Sequence, residues 1–211
     1  MSPFPRAFAP IFILMLCVIA PTGAPAASPT GGTAFEEEPP PPEMLAPGRW
    51  TGPEVPGTTA ALLADGTAAA PADAPEQVKQ AIWAANSLQT LPYLYGGGHD
   101  LTFDVAQGAD CSGTVSFALR AAGVLKVPLD SGSFMRWGEQ GKGEWITVFT
   151  NPGHAYVVIA GLRLDTSVAG MSRSTQKVSE KVSRTAFERG PRWRPMPRST
   201  RGFVKRHPLS F

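Results

Sequence analysis

Cys111 has the residue type and the local sequence that nucleophilic catalysis requires. It lies in the run GADCSG (residues 108–113), at the point where the sequence predicts that a helix begins. The unpaired N–H groups and the positive dipole at a helix N-terminus favour a thiolate and can stabilise an oxyanion. Cys111 is therefore a candidate nucleophile, and an inert buried thiol is the alternative.

A thiolate also needs a base and a group that orients the base. His154 directly precedes an apolar run, which predicts a histidine at the head of a strand. Asp165 closes the next predicted strand, after a turn at residues 160–161. Antiparallel partners equidistant from a turn are neighbours, so we expect Asp165 opposite His154. Taken singly, the histidine could cap a strand and the aspartate could belong to a turn.

The elements around these residues predict an α+β fold. A helix is expected to begin near Pro75, because proline suits a first helical turn and Glu76 follows it. A second helix is predicted over Ser112–Ala122, ended by Gly123. Short β-rich runs follow at Ile146–Phe149, Ala155–Ala160, Leu162–Asp165 and Phe203–Arg206. Helices followed by strands, without βαβ alternation, indicate an α+β arrangement with an antiparallel sheet.

Composition excludes several classes of protein. The 211 residues contain two cysteines, Cys17 and Cys111, which excludes a disulfide framework and a four-cysteine zinc site. The three histidines are scattered, and neither His99 nor His207 has a partner pattern. We therefore predict no metal and no other cofactor.

The first part of the chain resembles an exported protein's leader and a spacer. Residues 1–27 combine Arg6, an apolar stretch and a small-x-small site at 24–26, which predicts a signal peptide and a secreted or periplasmic product. An uncleaved anchor is the alternative. Residues 28–74 are rich in Pro, Ala and Gly and are predicted to be a linker, extended over 28–56, with docking of 57–75 left open. The folded domain is predicted over 75–211.

A basic extension is predicted to end this domain. Residues 171–211 carry eleven basic and two acidic residues. In an exported protein such a segment favours an anionic wall or membrane surface over nucleic acid. The alternative is that it folds back as an edge strand and lid, with Trp193 and Phe203 buried against the sheet.

Three motifs in order resemble the NlpC/p-sixty family of bacterial cell-wall cysteine peptidases. They are PYLYGG (92–97), DCSG (110–113) and Gly153-His154, and the resemblance covers about Pro75 to Ser167. It implies a papain-like α+β fold, with the cysteine helix packed on an antiparallel sheet. It also implies hydrolysis of the γ-D-glutamyl–diamino acid bond in peptidoglycan stem peptides.

The resemblance assigns roles by position. Cys111 would be the nucleophile, His154 the base and Asp165 the orienting residue. Asp110 and Ser112 would hold the free amine of the stem peptide, and Tyr93 would line the substrate groove.

Two departures and several alternatives accompany this resemblance. Tyr95 stands where the family usually has Trp, and Asp165 stands where it commonly has His, Asn or Gln. The same scaffold could serve a muramoyl-alanine amidase or an acyltransferase, and a non-catalytic cell-wall binding module is a further possibility. The presence of both Cys111 and His154 favours an enzyme.

Overall fold

The computed structural model describes residues 50–167, 190–195 and 197–209. The predicted signal peptide (1–27), the linker up to residue 49, and residues 171–189 of the predicted extension lie outside the described residues. Within the described ranges, no helix combines the length and the apolar character that a membrane span requires.

Among the described residues, three short strands come first, then three helices, of which two are longer, and then six strands. In chain order they are β1 (Glu54–Val55), β2 (Ala61–Leu62), β3 (Ala68–Pro71), α1 (Glu76–Asn86), α2 (Cys111–Ala121), α3 (Ser131–Phe134), β4 (Glu139–Gln140), β5 (Ile146–Asn151), β6 (His154–Ile159), β7 (Leu162–Asp165), β8 (Arg192–Arg194) and β9 (Val204–His207). The predicted α+β class is confirmed, and each of the predicted helices and strands is present within two residues of its expected limits.

Strands β4 to β9 form one six-stranded sheet in the order β4-β9-β5-β6-β7-β8. Every neighbouring pair in it is antiparallel. A smaller sheet has the order β1-β3-β2, in which β1 is parallel and β2 antiparallel to β3. Because β6 and β7 are antiparallel neighbours, the start of β6 and the end of β7 lie at the same end of the sheet. Both strands contact α2.

The helices cover the large sheet and bury the core between the two layers. α1 packs on α2, and α2 packs on β6 and β7. Fully buried aliphatic side chains come from both layers: Val78, Ile82, Val115, Leu119, Val157 and Leu164. Each such side chain contributes roughly 1.5–3 kcal/mol when removed from water. This packing fixes α2 against the strands, and with it the position of its N-terminus.

The structure corrects the predicted linker over residues 50–74. Strands β1, β2 and β3 lie within it, and all four residues of β3 are buried against α1. Gln80 donates to the carbonyl oxygen of Trp50 at 2.8 Å and accepts from its N–H at 2.9 Å. The small alanines of β3 allow close packing of strand and helix, which a composition rich in Ala and Pro does not reveal. The folded domain therefore includes residues 50–74.

The structure also shows that part of the basic extension belongs to the sheet. β8 pairs with β7, and β9 lies between β4 and β5. Trp193 is only 4% exposed and belongs to the main core. Arg206 donates through Nε to the carbonyl oxygen of Met135 at 2.7 Å. Residues 190–195 and 197–209 therefore fold back on the sheet as the alternative describes for Trp193, which is buried, and for β8, which is an edge strand; β9 is instead an interior strand, and Phe203 is only half-buried.

Candidate active site

Cys111 is the first residue of α2, and Asp110 caps this helix. The Oδ1 atom of Asp110 accepts the N–H of Gly113 at 2.7 Å. This cap leaves the N–H groups of Cys111 and Ser112 without an acceptor among the described residues, as is usual for the first helical turn. The two groups can therefore donate to an oxyanion that forms on a carbonyl attacked by Cys111.

The surroundings of Cys111 favour its ionised form. Burial raises the pKa of the thiol, but hydrogen bonding to the His154 ring and to the N–H of Ala155 outweighs it, and the pKa lies below its usual value. The side chain remains partly accessible. An accessible thiol with a lowered pKa is the state that a nucleophilic cysteine needs.

A glycine-rich loop presses directly on the first turn of α2. The N–H of Asp110 donates to the carbonyl oxygen of Gly97 at 3.1 Å. A Cβ on Gly113 would overlap this same carbonyl oxygen, and a Cβ on Gly97 would overlap that of Gly108. Gly97 of PYLYGG and Gly113 of DCSG are therefore required for the close approach of the two segments, independently of any catalysis.

His154 begins β6, opposite Asn151 at the end of β5. Its Nε2 atom lies 2.9 Å from Oδ1 of Asp165, which leaves Nδ1 for the thiol of Cys111. Burial lowers the pKa of His154, but the hydrogen bonds to Asp165 and Cys111 raise it to about 9. The arrangement thus favours an imidazolium beside a thiolate.

Asp165 ends β7 with a fully buried side chain. Besides His154, it accepts the N–H of Ser167 at 2.8 Å, and its Oδ2 lies 3.0 Å from Nη1 of Arg198. Burial raises the pKa of Asp165, but these partners lower it below its usual value. The carboxylate is therefore ionised and held in place from three directions.

The contact between His154 and Asp165 differs in register from the predicted one. β6 and β7 pair Val157 with Leu164, so the ladder places Asp165 beside Tyr156 and not directly opposite His154. His154 reaches Asp165 diagonally on the same face, as long side chains can. The two residues meet as expected, through a diagonal contact.

Two residues of the basic extension complete this group, and the sequence analysis gave neither a place in it. The guanidinium of Arg198 lies 5.0 Å from the ring centroids of both Tyr156 and Phe203. The Phe203 ring also meets the His154 ring edge-on, at 6.2 Å between centroids. Arg198 is one of many arginines in a basic segment, and only the return of the chain to the sheet distinguishes it.

His99 is a further residue to which the sequence analysis gave no role, and here the structure corrects it. Nε2 of His99 lies 3.1 Å from Oδ1 of Asp110 and 3.3 Å from Oγ of Ser112. The hydrogen bond to Asp110 raises the pKa of His99 against the opposing effect of burial. A histidine directly after a glycine-rich loop was the available signal.

Tyr93 lies near Cys111 and Asp110. It forms a bridge with Ala109, and burial together with the charges of Cys111 and Asp110 raises its pKa. The predicted site residues Tyr93, Asp110, Cys111, Ser112, His154 and Asp165 thus lie in one region. Within the three described ranges, no group of three or more His, Cys, Asp or Glu side chains could hold a metal ion.

This arrangement can support acyl transfer through a thiolate. The imidazolium can protonate a leaving amine, and the N–H groups of α2 can stabilise the oxyanion.

Comparison with protein-family models and with curated proteins finds no match to this chain.

Proposed function

We propose that the protein is an exported cysteine peptidase that hydrolyses amide bonds in peptidoglycan stem peptides, of the γ-D-glutamyl–diamino acid endopeptidase type. The observation that carries the proposal is the convergence of Cys111, His154 and Asp165, with the pKa of the thiol lowered and that of the imidazole raised to about 9. Three motifs that resemble the NlpC/p-sixty family supply the substrate class. The proposal also includes a papain-like fold within the α+β class, in which the cysteine helix packs on an antiparallel sheet.

The reaction would follow the geometry of the three side chains. The thiolate of Cys111 attacks the scissile carbonyl, and the N–H groups of Cys111 and Ser112 stabilise the oxyanion. The imidazolium of His154 donates its proton to the leaving amine, which yields a thioester on Cys111. His154 then accepts a proton from water, and hydrolysis of the thioester restores the thiolate.

Digestion of purified peptidoglycan, followed by mass analysis of the fragments, tests this proposal. We expect fragments cut after the γ-D-glutamyl residue with the wild type and none with Cys111→Ser, because a hydroxyl is nearly isosteric with a thiol but is a far weaker nucleophile. Undiminished hydrolysis by Cys111→Ser would reject the assignment. Release of intact stem peptides from the glycan would indicate an amidase instead.

Alkylation of the thiol separates an enzyme from a binding module that keeps the same fold. Iodoacetamide should label Cys111 at a pH well below the pH at which an ordinary thiol reacts, and peptide mapping can measure this labelling. His154→Ala should slow this labelling, whereas His207→Ala, a matched histidine on β9, should not. Labelling at the rate of an ordinary thiol would favour the non-catalytic module.

A further inference from the structure

The two oxygens of the Asp165 carboxylate have different partners. Oδ1 lies 2.9 Å from Nε2 of His154 and accepts the N–H of Ser167 at 2.8 Å. Oδ2 accepts a single hydrogen bond among the described residues, from Nη1 of Arg198 at 3.0 Å. Both oxygens belong to one rigid plane, so a rotation of the carboxylate that moves Oδ2 also moves Oδ1. The contact with Arg198 therefore affects how Oδ1 faces His154.

The carboxylate needs this second anchor, because the terminal torsion of an aspartate side chain is broad and sets no single orientation. A competing group lies on the same strand. Nε of Arg163 is 3.7 Å from Oδ2, which is too far for a hydrogen bond, and the Arg163 side chain is only 3% exposed. Without Arg198, the buried guanidinium of Arg163 is the cation left beside Oδ2 among the described residues. Rotation of the carboxylate towards it would distort the hydrogen bond to His154.

Arg198 is itself held firmly enough to act as an anchor. Its guanidinium lies 5.0 Å from the ring centroids of both Tyr156 and Phe203, at a distance typical of cation–π contacts. The Tyr156 ring is buried and stacks on Phe149, with 4.8 Å between the centroids. The Arg198 side chain is only 14% exposed. Its position is therefore set by aromatic rings of the sheet, unlike that of a surface arginine.

We infer, resting on the proposed function, that Arg198 is a positioning residue for the reaction: it orients Asp165 and, through Asp165, the imidazole of His154. The basic extension then contributes a residue to the reaction itself. The three motifs are not sufficient for a fully active site, because they leave Oδ2 of Asp165 without its hydrogen bond. The role concerns proton transfer by His154 and not substrate binding, so kcat should depend on Arg198 and KM should not.

Arg198→Met and Arg198→Lys form a matched pair of variants that tests the inference. Both side chains are unbranched and of similar length, and both can lie along the two aromatic rings, but only lysine donates a hydrogen bond to Oδ2. The proton shared by Nε2 of His154 and Oδ1 of Asp165 gives a downfield signal in the proton NMR spectrum, which its absence from His154→Ala assigns. We expect this signal in the wild type and in Arg198→Lys, and its loss or upfield shift in Arg198→Met.

Kinetics on the soluble peptide L-Ala-γ-D-Glu-diaminopimelate give a second readout. In Arg198→Met we expect kcat to fall roughly tenfold at a nearly unchanged KM, because misplacement of a catalytic group by about 1 Å can cost up to about a hundredfold in rate. Arg198→Lys should recover most of this loss. A residue that only stabilised the fold would lower the melting temperature of both variants and would leave the NMR signal and the kcat of the folded protein unchanged.

Controls distinguish the possible failures. Arg201→Met, at an exposed position of the same segment, should keep the NMR signal and both kinetic constants. If thermal unfolding shows that Arg198→Met does not fold, Arg198→Gln replaces it with the same expectation, and unfolding of both would overturn the inference. So would an unchanged signal in the folded variant, an Arg198→Lys no better than Arg198→Met, or a loss confined to KM. The signal is measured without substrate, so it decides the inference even if the wild type cleaves no peptide, a result that would reject the proposed function alone.

Discussion

Replacement of Asp165 by Asn isolates the effect of one buried charge on the pH range of activity. The thiolate–imidazolium pair exists between the pKa of Cys111, which lies below its usual value, and that of His154, at about 9. An amide can still accept the N–H of His154, but it carries no charge to favour the imidazolium. The variant should therefore keep the hydrogen bond to His154 and lose part of the pH range, and it should also unfold more readily, because Arg198 and the buried Arg163 lose the charge of Asp165.

The size of the effect follows from the pKa of His154. Raising this pKa from 6.5 to about 9 corresponds to roughly 3 kcal/mol in favour of the imidazolium. Burial opposes the rise, and the hydrogen bond to Asp165 is the largest effect that produces it. In Asp165→Asn we expect the pKa of His154 to fall towards its usual value. The kcat/KM at pH 8 should then drop about ten- to hundredfold, with a smaller loss near pH 6.

The assay is the pH profile of kcat/KM for a soluble peptide, measured from pH 5 to 10. The wild type should decline on the alkaline side near pH 9, and Asp165→Asn should decline at lower pH. Asp65→Asn, in an exposed turn, is the matched control and should keep the wild-type profile. A folded Asp165→Asn variant with an unchanged alkaline limb would refute the assignment of Asp165 as the residue that sets the charge of His154.

Three further predictions concern the residues around this pair. Arg198→Gln should lower both the free energy of unfolding and kcat/KM, since it removes the 3.0 Å contact with Asp165. Arg201→Gln, on the exposed surface, should change neither quantity. Chemical unfolding and peptide hydrolysis measure the two effects. A chain starting at Gly57 should be less stable than one starting at Trp50 by about 2–4 kcal/mol, because it lacks β1 and a tryptophan packed on the core; equal denaturation midpoints would restore the spacer interpretation of residues 50–56. Gly113→Ala should lower the melting temperature and slow alkylation of Cys111, since its Cβ would overlap the Gly97 carbonyl; a wild-type labelling rate would contradict this.

The sequence predicted the elements that carry a local signal. α1 begins after Pro75, and β7 spans Leu162–Asp165 as expected. The sequence analysis missed β1 to β3, because two-residue strands and a run of alanines show no alternation of apolar and polar residues. β8 was also missed, since Arg192 and Arg194 flank the buried Trp193 and mask an ordinary strand pattern.

The candidate site was predictable only where its residues lie in motifs. Cys111 and His154 stand at the starts of regular elements, and such positions can be recognised from neighbouring residues. His99 and Arg198 act through contacts that the fold creates: Arg198 meets Asp165 from another part of the chain, and His99 meets Asp110 because a glycine loop folds onto α2. The spacing of these residues along the sequence does not indicate either contact.

The place of β9 inside the sheet has a consequence for the order of folding. β9 comes last among the described strands, yet it is an interior one, held between β4 and β5. Pairings between segments so distant in sequence must close a large loop before they gain any stability, and they form slowly. A chain synthesised from its N-terminus therefore presents Cys111, His154 and Asp165 well before Arg198 and Phe203 emerge to enclose them. The group acquires its final surroundings only after this late strand is inserted, so assembly of the site is coupled to the last steps of folding.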